Sequence, residues 1–380
     1  MKYIIVRCED GAWLGPRTPA LLESANPSHL QHLAQAGAVG RIRRPGKQTG
    51  IDRFHLHRAM FGLGPHDMEA TPAQCYAASA NLQLAPGETA WCADFMTRRD
   101  DRIIDPTAGN ILTKESEVLI HALNERFGSD TQRWEVGQGS HHLLVVSESP
   151  LGLNGRWSGQ PPELLAGQPW KSSLPKGELG QALQSLIEEV SQFLEQHAIN
   201  RVRIDLGENP ANAVWLWGAT DTTPHRTFTQ RTGLSGAIVS SRFPLRGLAR
   251  TLGLDWKMGP TSFEERPLRH LTKTISEFVG THDLVYAHLR VDSADPVERL
   301  CAIERIDHVL LKPLTEMLPQ RGSWRLLAAV DDHVQGTVSL IAIGSGLPQH
   351  PAAQLNAEHF AESPLVFDDG LALFSWLTKE

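Results

Sequence analysis

The sequence predicts an α/β protein: a central mixed sheet flanked by helices, interrupted by an inserted α+β lobe. Apolar runs of strand length alternate with amphipathic stretches of helical spacing near both ends of the chain. This rhythm changes between about residues 100 and 200, where a Pro- and Gly-rich stretch lies. The 380 residues suffice for two or three domains. We therefore predict a core formed by 1–80 and 225–380, and a lobe formed by 81–224.

The N-terminal part predicts a β–turn–α unit. Residues 2–9 (KYIIVRCE) are typical of a buried strand, and 25–37 carry apolar residues at helical spacing before a glycine. A second helix is predicted from Thr49 to Gly62, because Thr49 and Asp52 have the spacing of a capping box.

The elements that follow are predicted from periodicity and from the residues that bound each run. In the lobe they are a helix (115–128), a strand (141–149), a helix (179–200) and a strand (201–207). In the C-terminal part they are strands at 235–241, 282–290, 324–332 and 337–344, with helices at 245–253 and 297–318.

Composition and charge exclude several classes of protein. A net charge of −7 and an isoelectric point near 6.2 do not favour a nucleic-acid surface. No apolar run is long enough for a membrane span, and the N-terminal apolar run is too short for a signal peptide. The four cysteines are scattered and predict reduced thiols in a cytoplasmic protein: Cys8, Cys75, Cys92 and Cys301.

Carboxylates follow several predicted strands directly. Asp10 comes after the first strand, Asp292 after the strand 282–290, and Asp331 and Asp332 end the run LLAAVDD. In open α/β sheets, polar groups at the carboxyl ends of strands converge on the functional site. Each acid alone also fits a turn former, but together they predict a site at this edge of the sheet.

Several segments, in order along the chain, resemble motifs of the archaeal-type cofactor-independent phosphoglycerate mutases of the alkaline phosphatase superfamily. They are EDG (9–11), TPALLESANPSHLQHLAQAGAVG (18–40), FGLGP (61–65), ADFMTRRDDRIIDPTAGNI (93–111), NPANAVWLWG (209–218), LRGLARTLGL (245–254), VYAHLRVDSADP (285–296) and VDDHV (330–334). The resemblance implies an alkaline-phosphatase-like core with an inserted transferase-like lobe. It also implies chemistry with two divalent metals, a hydroxyl nucleophile and basic substrate-binding groups.

The resemblance supports one metal site better than two. Asp10, Asp332 and His333 match the protein ligands of one metal other than the nucleophile, and this donor set suits Mn²⁺, Zn²⁺ or Mg²⁺. Asp292 matches one ligand of the other metal, but Pro296 stands where that site has a histidine. We expect at most one divalent metal.

The family's nucleophilic serine has no counterpart here. Its GSD motif reads Gly50–Ile51–Asp52, and an alignment without gaps places Arg53 at the serine instead. Neither residue offers a hydroxyl. Thr49 is the nearest one; we favour a helix cap for it and keep it as a candidate nucleophile.

The substrate-binding arginines that the resemblance implies are largely replaced. Their positions fall on Cys92, on Asn110 and on His141 or His142. Neutral side chains cannot replace a guanidinium that binds phosphate or carboxylate in bidentate fashion. Arg246 retains a basic group and is a candidate substrate-binding residue.

Histidines elsewhere are candidate ligands of a rebuilt site, although we favour structural roles for them. His55, His57 and His66 lie in or near the predicted helix 49–62, where His55 and His57 do not share a face. We interpret them as polar helix positions and His288 as a packed strand histidine.

These losses predict a phosphoglycerate mutase-like protein without mutase activity, acting in binding, regulation or assembly. The alternative is a divergent metal-dependent phosphohydrolase or phosphotransferase that uses Thr49 or a metal-bound water. The expected partners are a small anionic ligand or a protein, with no nucleic acid and no membrane. The sequence leaves the oligomeric state open.

Overall fold

The structure, a computed structural model, describes most of the chain. The described residues are 1–9, 27–43, 53–64, 67, 69–147, 159–174, 178–220, 226–291, 293, 295–332, 337–355 and 357–379. The chain divides into two compact units, one formed by 1–67, 226–242 and 252–380 and the other by 68–225 and 243–251. The lobe boundaries expected from the sequence, 81 and 224, stay a prediction.

The secondary structure alternates strands and helices. The strands are β1 (Lys2–Glu9), β2 (Ala38–Arg43), β3 (Glu88–Arg99), β4 (Arg102–Asp105), β5 (Gln132–Gln138), β6 (His141–Ser147), β7 (Ala213–Trp217), β8 (Gly236–Val239), β9 (Asp255–Lys257), β10 (Leu284–Arg290), β11 (Trp324–Asp332), β12 (Thr337–Gly344) and β13 (Val366–Phe367). The α-helices are α1 (Ser28–Ala36), α2 (Arg53–Ala59), α3 (Pro72–Ala80), α4 (Thr113–Phe127), α5 (Pro162–Leu165), α6 (Trp170–Ser173), α7 (Glu178–Glu195), α8 (Ala198–Asp205), α9 (Phe228–Thr232), α10 (Phe243–Leu252), α11 (Glu265–Thr281), α12 (Pro296–Arg305), α13 (Lys312–Met317), α14 (Ala357–Glu362) and α15 (Gly370–Thr378).

The first unit is built on a mixed sheet, as the sequence predicts. Among the described residues, eight strands pair in the order β13-β2-β12-β11-β1-β10-β8-β9. Strand β1 pairs in parallel with β10 and with β11, whereas β12 is antiparallel to both β11 and β2. The predicted α/β class with a central mixed sheet and flanking helices is confirmed.

Strand β1 is buried along almost its whole length because a strand pairs with it on each side. Ile4, Val6 and Cys8 alternate onto one face and join an apolar core with residues of β10, β11 and helices α1, α11 and α13. Arg7 and Glu9 alternate onto the other face, which therefore carries polar groups into a buried layer.

The segment predicted as one helix at 297–318 consists of α12, a π-helical turn (Ile306–Leu311) and α13. The π turn contains Asp307, which is fully buried. Its carboxylate accepts the backbone N–H groups of His29 at 3.0 Å and Leu30 at 2.6 Å, in the first turn of α1. Pro27 precedes that helix and offers no side-chain cap, so Asp307 supplies the N-terminal acceptor from a distant part of the chain.

The second unit contains an antiparallel sheet. Strands β4, β3, β6 and β5 pair in that order, and β7 pairs with β3. Helices α3, α4 and α7 pack on it around a core rich in tryptophan, of which Trp91, Trp134, Trp170 and Trp215 are almost fully buried. This is the α+β composition expected for the lobe.

The strand expected at 201–207 is wrong, because these residues lie in and directly after helix α8. The alternation of apolar and polar residues suggested a strand, yet Val202, Ile204 and Leu206 are exposed. The buried residues of the helix are polar instead: Asn200 bonds backbone carbonyls at both Leu194 and Ala211. Tertiary hydrogen bonds thus override the β propensity of the segment.

His142 is the most deeply buried histidine of the second unit among the described residues. Its Nδ1 accepts the Gly137 N–H at 3.1 Å, and its Nε2 lies 2.8 Å from the Gly139 carbonyl, to which it donates. Both nitrogens are committed in the neutral ring. Burial lowers the pKa of His142 to about 3, since it penalises the charged form.

In the described residues, no helix is long and apolar enough to cross a membrane.

We expect Asp307→Ala to lower the free energy of unfolding by about 1–3 kcal/mol, because two buried N–H groups lose their acceptor. Asp307→Asn keeps one acceptor oxygen and should lose less. Urea denaturation measures both, with Asp295→Ala as the control, since Asp295 caps α12 at an exposed end. An Asp307→Ala loss no greater than that of the control would contradict the tertiary cap.

Acidification should destabilise the fold through His142. The pKa is about 3 in the folded protein and near 6.5 when unfolded, so the unfolded chain binds more protons as the pH falls below 6.5. We expect the wild type to lose about 2 kcal/mol more than His142→Asn between pH 7 and pH 5. Denaturation at both pH values tests this, with the exposed His121→Asn as control. Equal pH dependence in wild type and His142→Asn would refute it.

Candidate metal centre

Polar side chains meet at the carboxyl ends of three neighbouring strands of the first unit. Arg7 and Glu9 lie at the end of β1, and His288 lies near the end of β10, opposite Arg7 in the parallel register. Ser240 directly follows β8, and His57 comes from helix α2. The register explains the convergence, because parallel strands end at the same edge of the sheet.

Three of these residues have the composition of a metal site: Glu9, His57 and His288. One potential ligand atom from each lies within 4.8 Å of the other two. The Oε2 atom of Glu9 lies 2.8 Å from Nε2 of His288 and 3.8 Å from Nε2 of His57. All three residues are buried, at 5% exposure or less.

The hydrogen bonds of His288 define its neutral form. The Glu9 carboxylate can only accept, so Nε2 of His288 carries the hydrogen and donates to Oε2 of Glu9 at 2.8 Å. Nδ1 of the neutral ring then accepts from the Ser240 hydroxyl at 3.2 Å, while Ser240 Oγ accepts the backbone N–H of Arg242 at 3.1 Å. This pattern assigns the Nε2–H tautomer.

His57 is held in the same way. Nδ1 of His57 lies 2.6 Å from the Tyr286 hydroxyl and 3.0 Å from Nη1 of Arg7. Because a guanidinium can only donate, Nδ1 acts as the acceptor and Nε2 carries the hydrogen, facing Glu9. The rings of His57 and His288 meet edge to face at 4.8 Å.

Burial keeps both imidazoles neutral. The pKa of His57 is lowered to about 3, mainly by desolvation and also by the positive charge of Arg7, while Glu9 opposes the shift. Desolvation also lowers the pKa of His288, again against the attraction of Glu9. Neutral imidazoles with an adjacent carboxylate are the form in which these residues bind a metal.

The donor set therefore has the chemical type that binds a divalent ion, but the positive charge of Arg7 opposes the binding of a cation. Two histidines and one carboxylate are a common set for transition metals. The guanidinium of Arg7, only 1% exposed, places a positive charge against one of the histidines. Any bound cation must be stabilised against this charge.

Most residues that the family resemblance implied lie outside the described residues: Asp10, Thr49, Asp292 and His333. Asp332 ends β11, where its backbone pairs with Thr337, and its side chain is outside the described set. Whether these residues form a metal or catalytic site stays a prediction.

Arg246, the candidate substrate-binding residue, lies in helix α10. Its Nε donates to Ser79 Oγ at 3.0 Å and its Nη2 to the Ser79 carbonyl at 2.8 Å. Burial lowers its pKa, and so does the charge of Arg250. The guanidinium thus bonds the end of α3, and its substrate role stays a prediction.

The structure describes the surroundings of the positions where the resemblance places arginines. Cys92 is buried in β3, and Asn110 lies in a left-handed turn with φ of 52°. His141 bonds the buried carboxylate of Asp94 at 2.8 Å through Nδ1, whereas His142 is held by backbone groups. His141 is the partly exposed member of the pair.

The sequence did not indicate Glu9 as a candidate ligand, and it favoured structural roles for His57 and His288. His57, interpreted as a polar helix position, lies in helix α2 with its ring buried among polar partners. A usable signal existed: Arg7 and Glu9 are charged residues, two apart, within a strand expected to be buried. Their partners come from elements distant in sequence, which no local pattern links.

Comparisons with known proteins agree with the motif resemblance. A family model described as 2,3-bisphosphoglycerate-independent phosphoglycerate mutase matches residues 34–200. A probable 2,3-bisphosphoglycerate-independent phosphoglycerate mutase of Geobacter sulfurreducens is 27% identical, over 99% of this chain and 99% of the relative. The 2,3-bisphosphoglycerate-independent phosphoglycerate mutase of Methanosarcina acetivorans is 28% identical, over 84% of this chain and 81% of the relative.

Solved structures are similar in fold. A cofactor-independent phosphoglycerate mutase from Thermoplasma acidophilum has a TM-score of 0.58 at 21% identity, covering 98% of each chain. A protein from Pyrococcus horikoshii has a TM-score of 0.63 at 17% identity, covering 99% of this chain and 97% of its own. At such identities the likeness concerns the fold.

Proposed function

We propose that this chain, which is similar to cofactor-independent phosphoglycerate mutases over most of its length, has no mutase activity and acts by binding, in regulation or assembly. One observation carries the proposal. At the strand ends where α/β proteins bind ligands, Arg7, Glu9, His57, Tyr286 and His288 bond one another in a buried layer.

Such a layer is poorly suited to phosphoryl transfer with two metals. That chemistry needs open coordination positions and a polar surface that the phosphate can reach. Here Glu9 accepts from His288, and His57 accepts from Tyr286 and Arg7, with all five residues at 5% exposure or less. A phosphorylated substrate could contact these groups only after the layer opened.

Replacements at the positions of the family's site residues support the same conclusion independently of the structure. Ile51 or Arg53 stands where the resemblance places the nucleophilic serine, and Pro296 stands where it places a metal-binding histidine. Cys92 and Asn110 replace substrate arginines. A residual mutase would have to compensate for all of these changes, although the relatives themselves are named as mutases.

We expect the purified full chain to show no conversion of 3-phosphoglycerate to 2-phosphoglycerate with Mn²⁺, Mg²⁺, Zn²⁺ or Co²⁺. ³¹P NMR of the reaction mixture measures the conversion, and the Methanosarcina acetivorans relative serves as a positive control. Ile51→Ser should not restore turnover, because the other changes remain. Turnover of the wild-type chain that EDTA abolishes would overturn the proposal.

The second candidate function is a metal-dependent phosphohydrolase or phosphotransferase, favoured by the Glu9, His57 and His288 donor set. A divalent ion would activate water or Thr49 for attack on phosphorus. Metal-dependent hydrolysis of p-nitrophenyl phosphate or bis(p-nitrophenyl) phosphate would support this function. Loss of that activity in Glu9→Gln, but not in the control His55→Gln, would assign it to this donor set. The absence of hydrolysis with every metal tested would exclude it for these two substrates.

A further inference from the structure

We propose that Glu9, His57 and His288 bind one divalent transition-metal ion, with Zn²⁺ and Co²⁺ preferred over Mg²⁺. These residues differ from those that the family resemblance implies for its metals. The proposal is also independent of the loss of mutase activity, because a metal can bind without any turnover. Its test therefore uses metal alone, without substrate.

The chemistry of the donors sets the preference among metals. Two neutral imidazole nitrogens and one carboxylate oxygen are borderline ligands, which suit Zn²⁺ and Co²⁺, whereas Mg²⁺ prefers oxygen ligands and retains its waters. The buried position strengthens this preference, since a strongly hydrated ion would have to lose its water shell. All three donor residues are buried.

Two of the three donor–donor distances require little movement, and the ligand nitrogens of the third pair, His57 and His288, lie within 4.8 Å of each other. Zinc lies about 2.0–2.2 Å from nitrogen and oxygen ligands, so tetrahedral donors lie roughly 3.3–3.5 Å from one another. Oε2 of Glu9 now lies 2.8 Å from Nε2 of His288 and 3.8 Å from Nε2 of His57. Sub-ångström shifts of these side chains would bring both pairs to the range of a coordinated set.

The surrounding hydroxyl groups permit the change of tautomer that binding requires. For Nε2 to present a lone pair, the hydrogen of each ring must move from Nε2 to Nδ1. The Tyr286 hydroxyl lies 2.6 Å from Nδ1 of His57, and Ser240 Oγ lies 3.2 Å from Nδ1 of His288. A hydroxyl can donate before the change and accept after it, so both arrangements retain a partner.

Arg7 limits the affinity. Its Nη1 donates to Nδ1 of His57 at 3.0 Å and also lies 3.5 Å from Nε2, the nitrogen that would bind the metal. A protonated Nδ1 would turn the first contact into one between two donors. Metal binding therefore requires Arg7 to shift, and its charge opposes the cation. We expect Arg7→Met to bind Zn²⁺ at least about tenfold more tightly than the wild type.

Equilibrium dialysis of the EDTA-treated full chain against Zn²⁺ or Co²⁺, followed by metal analysis, tests the proposal. We expect one equivalent bound by the wild type and by the control His55→Gln, which changes a histidine of the same helix. His57→Gln and His288→Gln should each lose binding, and Ser240→Ala should weaken it about 10- to 100-fold. Melting curves without metal identify any variant that fails to fold.

Two further measurements distinguish a metal bound by Glu9, His57 and His288 from a metal bound by the residues that the family resemblance implies. In the wild type, ¹⁵N NMR should show His57 and His288 changing from Nε2–H to Nδ1–H when Zn²⁺ is added; this readout needs no variant. The double variant Asp332→Asn, His333→Gln should retain the bound equivalent. Binding that is lost in that double variant and kept in His57→Gln would assign the metal to the residues implied by the family. No bound metal, or no change of tautomer, would overturn the proposal outright.

Discussion

The burial of strand β1 on both faces is the constraint on which the first unit depends. Side chains on both faces of this strand are buried, so each charged residue on it needs an internal partner. Glu9 meets this requirement through His288 of β10, and Arg7 donates to His57 of α2. Polar contacts, in addition to apolar packing, therefore hold α2 over this end of the sheet.

The same strand divides the unit into two chemically different layers. Ile4, Val6 and Cys8 enter the apolar core, while Arg7 and Glu9 enter a layer of buried polar side chains. Buried polar groups in a medium of low polarity cost several kcal/mol if they lose a partner. The polar layer is therefore ordered by its hydrogen bonds, and its burial keeps the imidazoles in the neutral form that a metal requires.

The similarity to the family bears on the fold, whereas the expected residue replacements bear on the function. Similarity to a relative over nearly the full length agrees with the observed fold. Function depends on the site, and the resemblance predicts that the nucleophile and several substrate arginines have no counterpart in this sequence. A rebuilt arrangement of Glu9, His57 and His288 is compatible with the inherited sheet because it uses the same strand ends.

The sequence by itself determined the α/β class, the alternation of strands and helices in the core and the resemblance to the cofactor-independent phosphoglycerate mutases. These follow from periodicity and from motif order, which are local properties of the chain. The sequence misjudged 201–207, where tertiary hydrogen bonds to Asn200 outweigh β propensity. It did not reveal that Asp307 caps α1, or that Glu9, His57 and His288 meet. Only the tertiary structure decides such contacts, because strand register and helix placement join residues that are distant in the sequence.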